Sequence, residues 1–222
     1  MSNVGRPREH DERTAAALLA AAERTIQASG PEALSIRGVA TDVGTTTRAV
    51  YSLFGSKDGL ITALGAHGFD LLRQGVEALP ITNDPGVDLI EAALMFRRFA
   101  LDHPALFAIS MQRKPPEAFA IGAQPGLPSR DSSLPLRAAA NAALDLLRER
   151  VARLAHAQSL GDRTVNEATL QFHALCEGLA AVELRGINPP HHWERIWRQA
   201  FTALVAGFAT PTEADHPTRT LA

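Results

Sequence analysis

Apolar residues along this chain recur at spacings of three and four rather than two, the period of helices that bury one face. Ala15, Leu18, Leu19, Ala22 and Ile26 share one side of a first helix, which Gly30 and Pro31 terminate. Two short helices are predicted next, over Ser35–Val43 and Thr46–Phe54, with Gly44 between them. Ser56 is placed to cap a fourth, reaching about Leu79, with apolar positions at Leu60, Ile61, Leu64, Leu71 and Leu72. Asp84 as N-cap and Pro85 at the first helical position open a fifth that runs to about Asp102. His103-Pro104 breaks it, and Ala105–Met111 reads as one more short helix. Residues 114–133 contain four prolines and two glycines and are expected to be the longest irregular segment. Leu134 to about Gln158 is a long helix rich in Ala and Leu. Thr164 with Glu167 three residues later is a capping-box pattern that opens a helix ending near Gly186. A last amphipathic helix follows Pro189-Pro190 and carries Trp193, Ile196, Trp197, Phe201, Leu204 and Val205; residues 209–222 read as a frayed tail. The expected fold is all-α with about nine helices and no internal repeat.

Composition narrows the class. The 222 residues are enough for a sizeable core, and 45% apolar with 21% charged residues is the balance of an ordinary soluble globular protein. Lys and Arg number 22 against 24 Asp and Glu, a formal charge of −2, so bulk charge does not point to a polyanionic partner. The single cysteine, Cys176, excludes an intramolecular disulfide and any multi-cysteine zinc site, which suits a reducing compartment. No run of about 18 apolar residues is present and the N-terminus from Met1 to Arg13 is polar, so neither a membrane span nor a signal peptide is expected. A cytoplasmic location is the expectation.

The informative stretch runs from Ser35 to Tyr51. Val39, Ala40 and Val43 can pack against Val50, Leu53 and Phe54 across a turn in which Gly44 is free to take a positive φ. This is a helix-turn-helix pattern, in which the second helix enters the major groove of DNA; a plain helical hairpin has the same spacing. The second helix starts with Thr45, Thr46, Thr47 and Arg48. Arginine can read guanine with two hydrogen bonds, and threonine can reach phosphate or a thymine methyl. Charge is also distributed to suit: residues 1–80 hold eight basic and nine acidic side chains, whereas 33–57 hold Arg37, Arg48 and Lys57 against Asp42 alone.

Over about Asp11–Leu72 the chain resembles the tetracycline-repressor (TetR) family of bacterial transcription regulators. The resemblance rests on the first helix ending in Gly30, on Leu34-Ser35-Ile36-Arg37-Gly38-Val39-Ala40, on Val43-Gly44, and on Tyr51-x-x-Phe54-x-Ser56-Lys57-x-x-Leu60. Thr45 stands where the family usually has valine, and Leu53 where histidine is common. The resemblance implies that Thr45, Thr46, Thr47, Arg48 and Tyr51 face DNA, that Ser35 and Arg37 approach the backbone, and that Lys57 meets phosphate at a helix N-terminus. It implies a flexible Gly5-Arg6-Pro7-Arg8 arm, with Arg6 and Arg8 reaching a neighbouring groove. It divides the chain into a reader at 1–78, a sensing and dimerisation domain at 79–208, and a tail at 209–222. The implied partners are a double-stranded DNA operator, a second copy of the chain and an unidentified small-molecule effector, with no membrane and no cofactor.

For the C-terminal half, the family implies pairing through the last two helices, about Thr164–Gly186 and Pro190–Phe208. Trp193, Trp197, Phe201 and Leu204 are the candidate interface residues; Trp193 and Trp197, one turn apart, suit an interface anchor or an internal core equally. A weaker resemblance links His103-Pro104-Ala105-Leu106-Phe107 and Gly178-Leu179-Ala180 to a subgroup with a Trp-x-x-x-His-Gly signature. Here His173 and Glu177 stand in place of its tryptophan and histidine. Candidate pocket residues are Met95, Phe96, Phe99, Phe107, Met111, Phe172, His173, Cys176 and Glu177, the apolar ones suiting core packing as well. His173 and Glu177 are spaced for an i,i+4 pair.

An enzyme is the third alternative and finds little support. His191-His192 with Glu194 lacks the histidine spacing of a zinc protease, and no phosphate-binding glycine loop or nucleophile elbow is present. A helical interaction module that has lost operator binding would not need Tyr51, Lys57 and the threonine-rich helix start.

Overall fold

The computed structural model describes residues 6–112, 134–157, 160–186 and 192–210, and among them there are nine α-helices and no strand. These are α1 (Arg6–Ser29), α2 (Ile36–Val43), α3 (Thr47–Phe54), α4 (Lys57–Glu77), α5 (Pro85–Asp102), α6 (Pro104–Phe107), α7 (Leu134–Ala157), α8 (Val165–Leu184) and α9 (Trp193–Phe208). The all-α expectation holds. The irregular segment expected at 114–133 and nearly all of the 209–222 tail lie outside the described residues.

Most helix starts coincide with side chains that can take up free backbone N–H groups. Ser56 Oγ accepts from Gly59 N at 2.9 Å, and Asp84 Oδ1 accepts from Gly86 N and Val87 N at 2.9 and 3.0 Å. Thr164 and Glu167 form a complete capping box ahead of α8. Two expectations need correction. Helix α1 already begins at Arg6, so Arg6 and Arg8 belong to its first turns rather than to a free arm; Pro7 lacks an N–H, but the first turn of a helix does not require one. The single short helix expected over Ala105–Met111 is instead α6 followed by a π-helical turn at Ala108–Gln112, where Ser110 Oγ donates to Gly65 O at 3.0 Å.

Two compact units are formed, one from residues 1–71 and 102–142, the other from 72–101 and 143–222. In the first, α1 packs on α2, α3 and α6. Leu18, Ala22, Leu34, Val39, Val50, Leu60, Leu64 and Leu106 fill its interior, and each leucine removed from water contributes about 1.5–3 kcal/mol. Glu23 of α1 meets His103 Nδ1, just ahead of α6, at 2.8 Å.

The second unit is organised by two buried carboxylates. Glu183 of α8 accepts two hydrogen bonds from Arg97 Nε, at 3.0 and 3.2 Å, and one from Arg97 Nη2 at 2.6 Å. It also accepts from the Trp197 indole at 3.0 Å. One side chain thereby ties α5, α8 and α9. Around it Trp197 stacks on Phe201 at 5.7 Å, and Phe201 lies 4.7 Å from Phe172. Asp88 of α5 is 3% exposed and accepts from Thr82 N at 3.0 Å, Thr82 Oγ1 at 2.7 Å and Arg153 Nη1 at 2.6 Å. Burial alone would raise its pKa, but the bonds from Thr82 and Arg153 outweigh that and hold the carboxyl below its ordinary value.

A lowered folded-state pKa makes the stabilisation from Asp88 complete above the ordinary carboxylate range, near pH 4, and lost as pH falls through the folded value. Asp88→Asn is therefore expected to lower stability by about 2–3 kcal/mol at pH 7. In urea titrations the gap between parent and variant should narrow steadily below about pH 4; a gap that does not change with pH contradicts this role.

Candidate nucleic-acid interface

The helix-turn-helix is built from local signals that reinforce one another. Ser35 precedes α2 in an extended conformation, and its hydroxyl accepts from Gly38 N at 3.0 Å. At the other end Gly44 adopts φ 70°. Its N–H donates to Thr41 O at 3.0 Å and the N–H of Thr45 donates to Ala40 O at 2.9 Å. That pair of bonds is a Schellman closure, which requires the left-handed residue that glycine supplies without strain. Thr46 then caps α3, accepting from Ala49 N at 3.2 Å. Gly55, at φ 74°, closes α3 through Tyr51 O, and Ser56 starts α4 immediately afterwards.

Packing decides which face of α3 remains free. Val50 is fully buried, and Val39 and Ala40 of α2 are nearly so. Thr47, Arg48 and Tyr51 lie on the opposite side and are exposed, Tyr51 by 53%. Ser35, Arg37 and Thr46 are exposed, and Thr45 and Lys57 are half-buried. The structure thus places the sequence-predicted residues from Ser35 to Lys57 at or near the surface of one unit, on α2, α3, their caps and the first residue of α4. Among the described residues none of Arg37, Arg48 and Lys57 is engaged in an ion pair. The side chains of Arg6 and Arg8 lie outside the described residues.

One residue not singled out from sequence controls this geometry. A Cβ on Gly59 would stand 1.9 Å from Phe54 O, so the first turn of α4 closes directly against the last turn of α3. The glycine in Lys57-Asp58-Gly59 was legible only as a helix-weakening residue, not as a point of close approach.

The sensor candidates are distributed over both units. Phe107 and Met111 belong to the first; Met95, Phe96, Phe99, Phe172, His173, Cys176 and Glu177 belong to the second. Phe96, Phe99, Phe107, Phe172 and Cys176 are buried, each at most 5% exposed. His173 and Glu177 form the expected pair at 2.9 Å on a half-exposed part of α8, with the His173 ring edge-on to Phe96 at 6.1 Å. Burial, and secondarily the charge of Glu177, push the Cys176 thiol well up, which removes its capacity as a nucleophile near neutral pH. Among the described residues no group of three or more His, Cys, Asp or Glu side chains is placed to hold a metal ion.

The interface candidates need a correction. Trp197 and Phe201 are 0% exposed within the single chain, sealed by Glu183 and Phe172, so they are core residues and cannot anchor a partner. Trp193 and Leu204 are half-buried. The free faces of the mutually packed α8 and α9 carry other residues: Leu170, Ala174 and Gly178 on α8, and Ala203, Ala206 and Gly207 on α9. Open space surrounds the missing Cβ of both Gly178 and Gly207.

Comparison with known proteins settles the kinship. Residues 18–64 match the family of bacterial regulatory proteins described as tetR family, and residues 89–208 match the tetracyclin repressor-like C-terminal domain. The chain belongs to the TetR family. It is accordingly a transcriptional regulator with a DNA-binding helix-turn-helix and a ligand-binding type of C-terminal domain, a class that is generally non-enzymatic. Among similar solved structures, a Rhodococcus sp. RHA1 protein of unknown function is 22% identical, with TM-score 0.71 over 89% of this chain and 96% of that one. The TetR regulator PfmR of Thermus thermophilus is 18% identical, with TM-score 0.62 over 85% and 97%. The fatty acid degradation regulator FadR of Bacillus halodurans is 12% identical, with TM-score 0.66 over 86% and 94%. No curated protein matches the chain significantly. Among the described residues no helix of this TetR-family protein is long and apolar enough to cross a membrane.

Gly59→Ala tests the close approach. The added methyl must push α4 away from a backbone carbonyl, and the cost of such overpacking, about 1–3 kcal/mol, exceeds the gain in helix propensity of about 1 kcal/mol at most. Thermal denaturation is expected to show a lower midpoint for the variant; an unchanged or raised midpoint would mean that the contact relaxes freely.

Proposed function

We propose that this regulator is a one-component repressor that binds an approximately palindromic operator as a homodimer and is released by a small-molecule effector. The observation that carries the DNA-reading part is the stripe of Thr47, Arg48 and Tyr51 on α3. An aromatic ring left 53% exposed beside a fully buried Val50 has no packing purpose in the chain itself. In this reading Arg48 contacts base edges, Thr47 and Tyr51 contact bases or phosphates, and Ser35, Arg37, Thr45, Thr46 and Lys57 fix the register on the backbone. The N-termini of α2, α3 and α4 add their unpaired N–H dipoles to a region of small positive charge. The reader takes residues 1–78 and the sensor 79–208, and beyond the effector no cofactor is needed. Cytoplasmic location follows from the need to meet the chromosome.

Dimerisation is assigned to the free faces of α8 and α9, where Leu170, Ala174, Gly178, Ala203 and Ala206 let a second pair of helices approach closely. The support is the family kinship together with this exposed, small-residue surface. The half-site spacing of the operator is then one helical turn of DNA or a multiple of it. An effector acts by binding the operator-competent and operator-incompetent states with different affinity, and α4, which carries Lys57 at its start, transmits the difference.

Gel-shift titration against DNA selected from a random pool tests the reading. Arg48→Ala is expected to cost about 1–3 kcal/mol of binding and to relax sequence preference at one position. Lys57→Ala should weaken binding to all sequences alike and reduce the slope of log affinity against log salt by about 1. Absence of sequence-specific binding by the parent protein at any salt concentration overturns the reading. Ala174→Glu is expected to convert a sedimenting dimer into a monomer and to lose operator affinity with it; a variant that remains dimeric rejects the assigned interface.

A further inference from the structure

Arg150 of α7 is, among the described residues of the second unit, the one charged side chain that is enclosed and incompletely used. It is 4% exposed. Its Nη2 donates to Val76 O at 2.6 Å and Leu79 O at 3.5 Å, covering carbonyls at the end of α4. Its Nε and Nη1 have no partner at all. A guanidinium carries one hydrogen on Nε and two on Nη1, so three N–H groups are buried without an acceptor. Native interiors leave very few such groups, and each one calls for an explanation.

Nearby charges do not supply one. Burial pushes the Arg150 pKa down; the field of Asp88 opposes this and that of Arg153 adds to it. Asp88 is already occupied by Thr82 and Arg153, so two arginines are set against one carboxylate and a positive charge remains over. Capping α4 would not explain the arrangement either. Only Nη2 of the guanidinium reaches these carbonyls, Val76 O is met by Leu79 N as well, and a neutral donor in place of the arginine would avoid the buried charge. Trapped water can satisfy hydrogen bonds but leaves that charge uncompensated. Apolar side chains also lie close by. Val151 and Leu154, neighbours of Arg150 on α7, are buried, and Met95 of α5 occupies the space beside Gly75, one residue before Val76.

We infer that Arg150 is the anion-recognising residue of the sensor, and that the effector is an organic carboxylate with an apolar body. Its carboxylate oxygens accept from Nε and Nη1, and its hydrocarbon part lies among the apolar side chains of the unit. Carboxylate and guanidinium match in charge and planarity, and charge-assisted bonds between them are about twice as strong as neutral ones. The same guanidinium would then hold ligand on one side and the last carbonyls of α4 on the other. This inference rests on the reading of residues 79–208, which include Arg150, as a sensor and specifies its ligand class.

Thermal-shift titration of the full-length protein tests it, with a series of straight-chain carboxylates from acetate to dodecanoate and with benzoate. Each is paired with its uncharged amide. The expected result is a saturable rise in midpoint with at least one carboxylate and not with its amide. In Arg150→Met, which keeps the apolar stem without the charge, affinity should fall about ten-fold or more, the range carried by a lost charged hydrogen bond. Arg150→Lys should retain part of it. No saturable shift with any carboxylate, an amide as effective as its acid, or equal affinity in parent and Arg150→Met would each overturn the inference. The carboxylate-against-amide comparison uses the parent alone and stands if the variants fail to fold. Gel shifts without any additive report separately on operator binding, so a protein that takes carboxylates but ignores DNA would sink the regulator reading and leave the ligand class intact.

Discussion

A helix leaves the N–H groups of its first turn and the C=O groups of its last turn unpaired, and the nine α-helices among the described residues present eighteen such ends. Much of the architecture follows from how this is done. Where an end is met by the chain's own neighbouring residues, as by Ser35, Thr46, Ser56 and Asp84, the helix boundary is local and sharp. At the end of α4 the Val76 carbonyl accepts locally from Leu79 N and also from Arg150 of α7, 74 residues further along the chain. Local provision gives the DNA-reading region its fixed turn. This remote bond makes the end of α4 depend in part on tertiary structure.

The two units use charge differently. In the first, Arg37 and Arg48 remain exposed and Lys57 half-buried, where their charges cost little. In the second, Arg97, Arg150 and Arg153 turn inwards to carboxylates and backbone carbonyls. An overall charge of −2 conceals this division, which is why it is a poor guide to the partners of the protein.

Sequence reading succeeded mainly where the cause was local. The caps, the positive φ of Gly44, the capping box at Thr164 and the surface face of α3 all follow from residues within one or two turns of each other. It failed where the cause was remote. The periodicity of Trp197 and Phe201 marks one face of α9 as apolar, but periodicity cannot distinguish burial against the same chain from burial against another. Arg150 sits in Arg148-Glu149-Arg150, a run that resembles a solvated face, and only the position of the α4 carbonyls reveals that it points inwards. Gly59 was missed although its cause is near in sequence, since only the fold of the turn between α3 and α4 places the Phe54 carbonyl beside its Cα.

The shared carboxylate of Glu183 also constrains how this protein can change over generations. Arg97 and Trp197 both donate to it, and Glu183 is only 7% exposed at its side chain. Replacing Glu183 alone strands a partly buried guanidinium and an indole N–H. Replacing Arg97 alone strands a buried charge, and replacing Trp197 alone opens a gap beside Phe201. The three effects are coupled and do not add. A change from this trio to an apolar cluster of equal volume therefore has to cross a less stable intermediate, so that the three positions can be exchanged only together.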